Sequence, residues 1–292
     1  MARRTDLAME AKEMWQENAG EMTELPGVRA RETTSYGMTT TVVEILDKRG
    51  ARALQKPVGS YVTLELPKGI LREPAGFGRA AARLGKELAK MLPKTGSVLV
   101  AGLGNGAVTP DAVGPWVLNH LVVTRHLSGM MPQLRSVSAI APGVLGVTGL
   151  ESVEVVRGLV ERSQPSCVIA VDALASRSLN RVCTTVQLAD TGIVPGSGVG
   201  NRRAAFDQDT LGVPVIGVGV PTVVEATTLL EDVLQEKTGV SSRIGDFCDP
   251  SMVVTPKDID ARVARIARFL GYGISLGLHR DLSVEDISCF VG

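Results

Sequence analysis

Three short runs in this chain are apolar almost from end to end: SVLVAG from residue 97, SCVIAVD from 166 and VPVIGVGVP from 213. A strand with one wet face alternates apolar and polar residues. A strand that is apolar at nearly every position is covered on both sides, as in parallel sheets flanked by helices. The intervening sequence supports that arrangement. ESVEVVRGLVERS (151–163) carries helical periodicity, 112–127 reads as a helix with Pro115 near its start, and SVSAIAP (136–142) as a further short strand. VVEATTLLEDVLQEK (223–237) reads as the helix after the last apolar run. This β-α-β-α-β order predicts an α/β fold: a doubly wound, mostly parallel sheet with helices on both faces.

Upstream, Leu7, Ala11 and Met14 recur at helical spacing with Glu10, Glu13 and Glu17 between them, a short amphipathic helix with an acidic face. TTTVVEIL (39–46) and SYVTLEL (60–66) read as an antiparallel pair, followed by a helix at 78–92. Near the C-terminus, Thr255 and Asp258 form a helix-start signal ahead of the stripe Ile259, Val263, Ile266 and Leu270. Arg262, Arg265 and Arg268 on that helix read as a solvated face. The four cysteines are scattered without a C-x-x-C, which fits a reduced, cytoplasmic setting and small core residues. Lys plus Arg and Asp plus Glu number 31 each, so net charge points to neither nucleic acid nor membrane as a partner. No apolar run approaches the roughly 18 residues of a membrane span.

In an α/β sheet, sites form outside the carboxyl ends of the strands. Two aspartates fall there, each just past an expected strand: Asp111, after GLGNGAVTP, and Asp172, after SCVIAV. Two carboxylates facing each other across one cleft can share a proton and act as acid and base together. At the start of the next helix, Asp111 is expected to keep a low pKa through the helix dipole. The alternative reading of the same loop is a nucleotide or dinucleotide site, because Gly102, Gly104 and Ala107 satisfy G-x-G-x-x-A. That fingerprint needs an acidic residue about 20 positions on, and none occurs from Ala112 to Leu150.

The stretch 171–206 is the densest in functional groups. Arg177, Arg181, Arg202 and Arg203 gather near Asp172 as candidate substrate-binding cations, and Gly192, Gly196, Gly198 and Gly200 make a long loop. Free amides of the 102–107 and 192–200 loops are candidate oxyanion donors. Asp190 reads as a turn residue before a glycine, with Asp207 and Asp209 ranked below it. His120 and His126, six apart, do not form the zinc pair of H-E-x-x-H.

DALASRSLNRVCTTVQLADTGIVPGSGVGNRRAAF, GLGNGAVTPDAVGP and RTDLAMEA together resemble the germination proteases of spore-forming bacteria, along essentially the whole chain. The resemblance implies an atypical aspartic endopeptidase whose core is similar to hydrogenase-maturation endopeptidases, acting in the spore core on small acid-soluble spore proteins. It implies Asp111 and Asp172 as the catalytic pair. It implies a site without metal or other cofactor, since the loops that match those of the related maturation peptidases lack a histidine. It further implies a homotetramer, with no direct nucleic-acid binding and no membrane. Family members are zymogens that cut after an acidic residue and before a large apolar residue, Ala, any residue and Glu. Thr5-Asp6-Leu7-Ala8-Met9-Glu10 fits that pattern. Residues 1–6 are therefore expected to be a propeptide removed between Asp6 and Leu7. Residues 7–292 then form a single peptidase domain, with 7–75 an extension packed on the core.

Overall fold

The computed structural model describes residues 5–18, 25–197, 203–230 and 252–291. Its strands are β1 (Val28–Ser35), β2 (Met38–Ile45), β3 (Gly59–Glu65), β4 (Val98–Gly102), β5 (Val137–Ile140), β6 (Cys167–Ala175), β7 (Thr185–Ala189), β8 (Val215–Glu225) and β9 (Val253–Val254). Its helices are α1 (Ala8–Asn18), α2 (Lys48–Leu54), α3 (Pro74–Met91), α4 (Val113–Val117), α5 (Leu145–Thr148), α6 (Ser152–Ser163), α7 (Gln208–Leu211), α8 (Ile259–Leu278) and α9 (Val284–Val291). One sheet runs in the order β1-β2-β3-β7-β8-β6-β4-β5, with β9 added to the far end of β8.

The centre of this sheet is the doubly wound fold expected from the apolar runs. β5, β4, β6 and β8 are mutually parallel. Successive residues of each strand enter opposite layers, as the period of two requires. Val98, Val100, Ile169 and Val171 face α3 and α8 through Leu84, Leu88, Val263 and Leu270. Leu99, Ala101, Val168 and Ala170 face α6 through Val153, Val156 and Val160. The chain leaves β4 to form β5 on one side and returns to form β6 on the other. The crevice above β4 and β6 is thus the topological switch point, where α/β sheets place ligands.

An antiparallel wing extends from β8 through β7, β3, β2 and β1. The expected pair β2–β3 is present, and its connection contains α2, capped by Asp47. β1 was not foreseen. Its sequence VRARETTS is charged and almost wholly exposed, so no apolar alternation marks it. α1 and α2 cover the wing, with Ala8, Leu54, Val43, Ile45 and Tyr61 in one cluster.

Two expected helices are shorter than read. The helix at 112–127 stops after α4, and a 3-10 turn at Leu118–His120 follows. The β-branched run after it peels away from the helical path: Val122 N–H donates to Ser275 Oγ (3.0 Å) and Thr124 N–H to the Val137 carbonyl (2.9 Å). The helix expected from 223 starts late, because Val224 and Glu225 still pair with β9. A helical turn occupies 226–230, and the remainder of that expected helix lies outside the described residues.

α3 crosses α8 where Gly85 meets Gly273; a Cβ at Gly85 would lie 2.9 Å from the Gly273 carbonyl oxygen and from Leu276 Cβ. Overpacking of this kind costs about 1–3 kcal/mol. Gly85→Val is therefore expected to lower the unfolding free energy by about that amount, read as a lower midpoint in denaturant titration.

Candidate active site

β4 ends at Gly102, which pairs with Val171 on β6. Asp172 is the next residue, so it loses its neighbour on the β4 side while remaining paired with Gly219 of β8 on the other. This corrects one expectation: Asp172 does not end its strand, which continues to Ala175. The vacated edge above β4 is filled by the loop that carries Asp111. That loop doubles back tightly. Gly104 has φ of +102°, and a Cβ there would fall 2.1 Å from the Asp111 carbonyl oxygen and 2.9 Å from its Oδ1. Only glycine lets the backbone pass so close.

Asp111 closes a 3-10 turn and is not a helix cap. Ala112 precedes α4, which is five residues long and has no side-chain cap bond. The carboxylate accepts instead from Asn105 N–H (2.7 Å). Burial pushes its pKa above the ordinary carboxylate value, against the opposing pull of the Asn105 amide and Arg203. The expected lowering by a helix dipole is thus overturned: desolvation outweighs the terminus of so short a helix. Asp172, 3% exposed, is displaced much further upward, by burial first and then by the negative charge of Asp111, with Asp6 adding to it. Both aspartates line one cavity of about 430 Å³, together with Asp6, Arg203 and Phe206.

Three amides of the loop 102–107 are committed to internal bonds. Leu103 N–H donates to the Val171 carbonyl (2.8 Å), Asn105 N–H to Asp111 and Ala107 N–H to Asn105 Oδ1 (3.0 Å). These bonds take three of its amides out of the oxyanion role expected for the loop. The dinucleotide cradle needs outward amides at the head of a full helix, and α4 is only five residues long. In the second loop, Ile193 N–H is committed to the Phe206 carbonyl (3.0 Å).

The segment before and within α1 is lodged beside the aspartates. Asp6 pairs with the end of β6: its N–H donates to the Ala175 carbonyl (3.1 Å) and its Oδ2 accepts from Ala175 N–H (2.9 Å). Ser197 Oγ donates to Asp6 Oδ1 (2.6 Å). The Asp6 carbonyl oxygen accepts from Lys56 Nζ (2.9 Å) and Gln187 Nε2 (3.1 Å), and Gln187 Oε1 accepts from Ala8 N–H (2.7 Å). Leu7 is fully buried against Leu174 and Ile193. Glu10, also fully buried, accepts from the amides of Arg177 (2.8 Å) and Ser178 (3.2 Å), from Arg181 Nη1 (2.9 Å) and from Thr5 Oγ1. Arg181 also grips Glu13 with two bonds of 2.8 Å, and Arg177 pairs with Glu17.

Of the arginines expected near Asp172, Arg177 and Arg181 therefore hold α1, and Arg203 lines the cavity, 3.7 Å from Glu151. Arg202 and Gly198 lie outside the described residues. Asp190 accepts from Ser60 N–H and Asp207 caps α7 through Thr210 N–H; neither lines the cavity. Cys167 and Cys183 are buried as expected, whereas Cys289 is exposed and Cys248 lies outside the described residues. Sequence reasoning missed Lys56 and Gln187. Lys56 belongs to no motif and Gln187 was not singled out within the 172–206 segment, and they reach Asp6 only because the wing folds against the parallel strands. No helix among the described residues is long and apolar enough to cross a membrane.

Comparison with known proteins points the same way. A family model described as germination protease matches residues 8–239. The germination protease of Caldanaerobacter subterraneus is 43% identical over 98% of this chain and 97% of its own. That of Clostridium perfringens is 40% identical over 99% and 98%, and that of Bacillus cytotoxicus 47% over 79% and 65%. A solved hydrogenase maturation protease from Thermococcus kodakarensis superposes on 64% of this chain and 98% of its own, with a TM-score of 0.37 and 15% identity.

The burial of Asp172 has a measurable consequence. Its unfolded-state pKa is about 3.9, and in the folded protein it keeps its proton to higher pH. As pH rises through that interval the folded state binds more protons than the unfolded one, so stability falls. Asp172→Asn cannot ionise. Its melting temperature is expected to exceed that of the wild type at pH 7–8, and the gap should close as pH approaches 4. Thermal melts across that range check this; a gap that does not change with pH would contradict it.

Proposed function

The chain belongs to the germination protease family, and from that footing we propose that it is an aspartic endopeptidase of small acid-soluble spore proteins, run by Asp111 and Asp172, and that it first cuts its own chain between Asp6 and Leu7. The observation that carries this reading is the shared cavity: two carboxyls with raised pKa values and the carboxylate of Asp6 line the same 430 Å³ space.

In the proposed reaction, Asp111 is ionised and takes a proton from a water held between the pair. The water oxygen bonds to the scissile carbonyl carbon. Asp172, protonated, gives its proton to the leaving nitrogen as the C–N bond breaks, leaving a carboxylic acid and an amine. The proton then passes from Asp111 back to Asp172, which restores the pair. The burial of Asp172, which disfavours its charged form, supports its role as the acid. The pair titrates as a unit, with apparent constants that belong to both residues.

The proposed cut is supported by how residues 6–10 are held. The acidic residue before the bond meets Ala175 N–H and Ser197 Oγ. The apolar residue after it fills the pocket of Leu174 and Ile193. The glutamate four positions on is received by Arg181 and two backbone amides. An acidic residue, Leu, Ala, any residue and Glu is the pattern these groups would read in a spore protein as well. In this reading the chain is a zymogen that carries a substrate sequence in its own cleft.

Asp111→Asn and Asp172→Asn are each expected to lower cleavage of an Asp-Leu-Ala-Met-Glu peptide by about 10²–10⁴-fold while the circular dichroism spectrum is unchanged. Near-normal turnover in either variant would remove that residue from the mechanism. Chelators are expected to have no effect; activity lost in chelator and restored by a divalent metal would overturn the metal-free scheme. Intact mass is expected to show a product chain that begins at Leu7, absent from both aspartate variants.

A further inference from the structure

The bond proposed above for cleavage joins the Asp6 carbonyl to the Leu7 nitrogen, and two side-chain donors already point at that carbonyl oxygen. Lys56 Nζ is 2.9 Å away and Gln187 Nε2 3.1 Å. Both distances fall in or at the edge of the range expected for groups that stabilise a developing oxyanion. The other side of Gln187 holds the next peptide along, since its Oε1 accepts from Ala8 N–H at 2.7 Å. Gln187 therefore grips the segment through the carbonyl of the scissile peptide and the N–H of the peptide after it. In the 102–107 loop the amides of Leu103, Asn105 and Ala107 are spent on internal bonds.

We infer that Lys56 and Gln187 form the oxyanion site of the enzyme. When water attacks the carbonyl carbon, the π electron pair moves onto the carbonyl oxygen. That oxygen gains negative charge opposite an ammonium and an amide N–H that are in place before the reaction begins. On collapse the pair returns to re-form the C=O bond, and the C–N bond breaks with its proton supplied by Asp172. The donors gain strength as charge develops, so they stabilise the transition state more than the ground state, which is the requirement for raising kcat. Gln187 is 8% exposed, and burial draws the Lys56 pKa below its ordinary value against the opposing pull of the Asp6 and Glu10 carboxylates. In a bound substrate the same donors meet the carbonyl of its acidic residue.

The inference also assigns a purpose to the antiparallel wing. Asp111 and Asp172 come from the parallel half of the sheet. Lys56 follows α2, and Gln187 lies on β7, which joins β3 to β8. Acid and base come from one half, and the oxyanion donors from the other. The reacting peptide lies across the seam, paired with the end of β6.

The inference rests on the proposed cut, and the test separates the two. In the full chain, the rate of appearance of the product beginning at Leu7 is followed by intact mass for Lys56→Met, Lys56→Arg and Gln187→Glu. The last keeps the oxygen that receives Ala8 N–H and loses the N–H donor. Lys56→Met and Gln187→Glu are expected to slow the cut by about 10²–10³-fold each, with Lys56→Arg recovering part of the loss. Hydrogen exchange at Ala8 and Ala11 is read in parallel. Protection unchanged from wild type, with a slowed cut, is the expected result and marks a lost transition-state contact. A slowed cut with protection lost in every variant would mean that the two residues only dock the segment, and would overturn the inference. Normal rates in these variants, with the aspartate variants inactive, would overturn it alone. A wild type that cuts neither itself nor the peptide would overturn the proposed function beneath it.

Discussion

A carboxyl group held inside a sheet, with a second one beside it, sets the terms for this molecule. Asp172 is nearly without solvent and still within the strand ladder, so it cannot relax toward water. Two adjacent carboxylates in such a place do not both ionise readily. Asp111 accepts a backbone amide and feels Arg203, both of which favour its charged form, while burial and the charge of Asp111 disfavour that of Asp172. The arrangement opposes stability at neutral pH, and the all-apolar packing on both faces of β4, β6 and β8 offsets that cost.

The residues near the N-terminus are the other half of the design. Glu10 is wholly buried, a position that costs several kcal/mol for an unpaired carboxylate. It is tolerated because two amides, one guanidinium and one hydroxyl surround it. Arg181 binds Glu10, Glu13 and Glu65 at once, joining α1, β3 and the loop after β6. The acidic face of α1, which on an isolated helix would face water, is thus turned inward. Loss of any one of these partners leaves a buried charge exposed to its own desolvation cost, which explains why so short a segment stays seated.

Much of this could be read before any coordinates. The three apolar runs are β4, β6 and β8, the periodic segment at 151–163 is α6, and the family likeness of the three motif segments is matched by the relatives across nearly the full chain. The errors were of two kinds. Local pattern overstated helices where β-branched residues were taken up by distant partners, as at Val122 and Val224. It also missed an exposed charged strand, β1, that pairing alone creates.

Hydrophobic period and the positions of Asp111 and Asp172 after apolar runs are properties of adjacent residues, so the parallel core and the place of the two aspartates at its strand ends were written in the chain itself. Whether those acids would be charged was not, because pKa follows burial and neighbours brought from elsewhere; the low value expected for Asp111 from its place before a helix was reversed by desolvation. The contacts of Asp6 with Lys56, Ala175, Gln187 and Ser197 span 50 to 191 positions. Only the closure of the antiparallel wing onto the parallel strands brings such residues within hydrogen-bonding reach, since no local spacing encodes a contact between groups so far apart along the backbone.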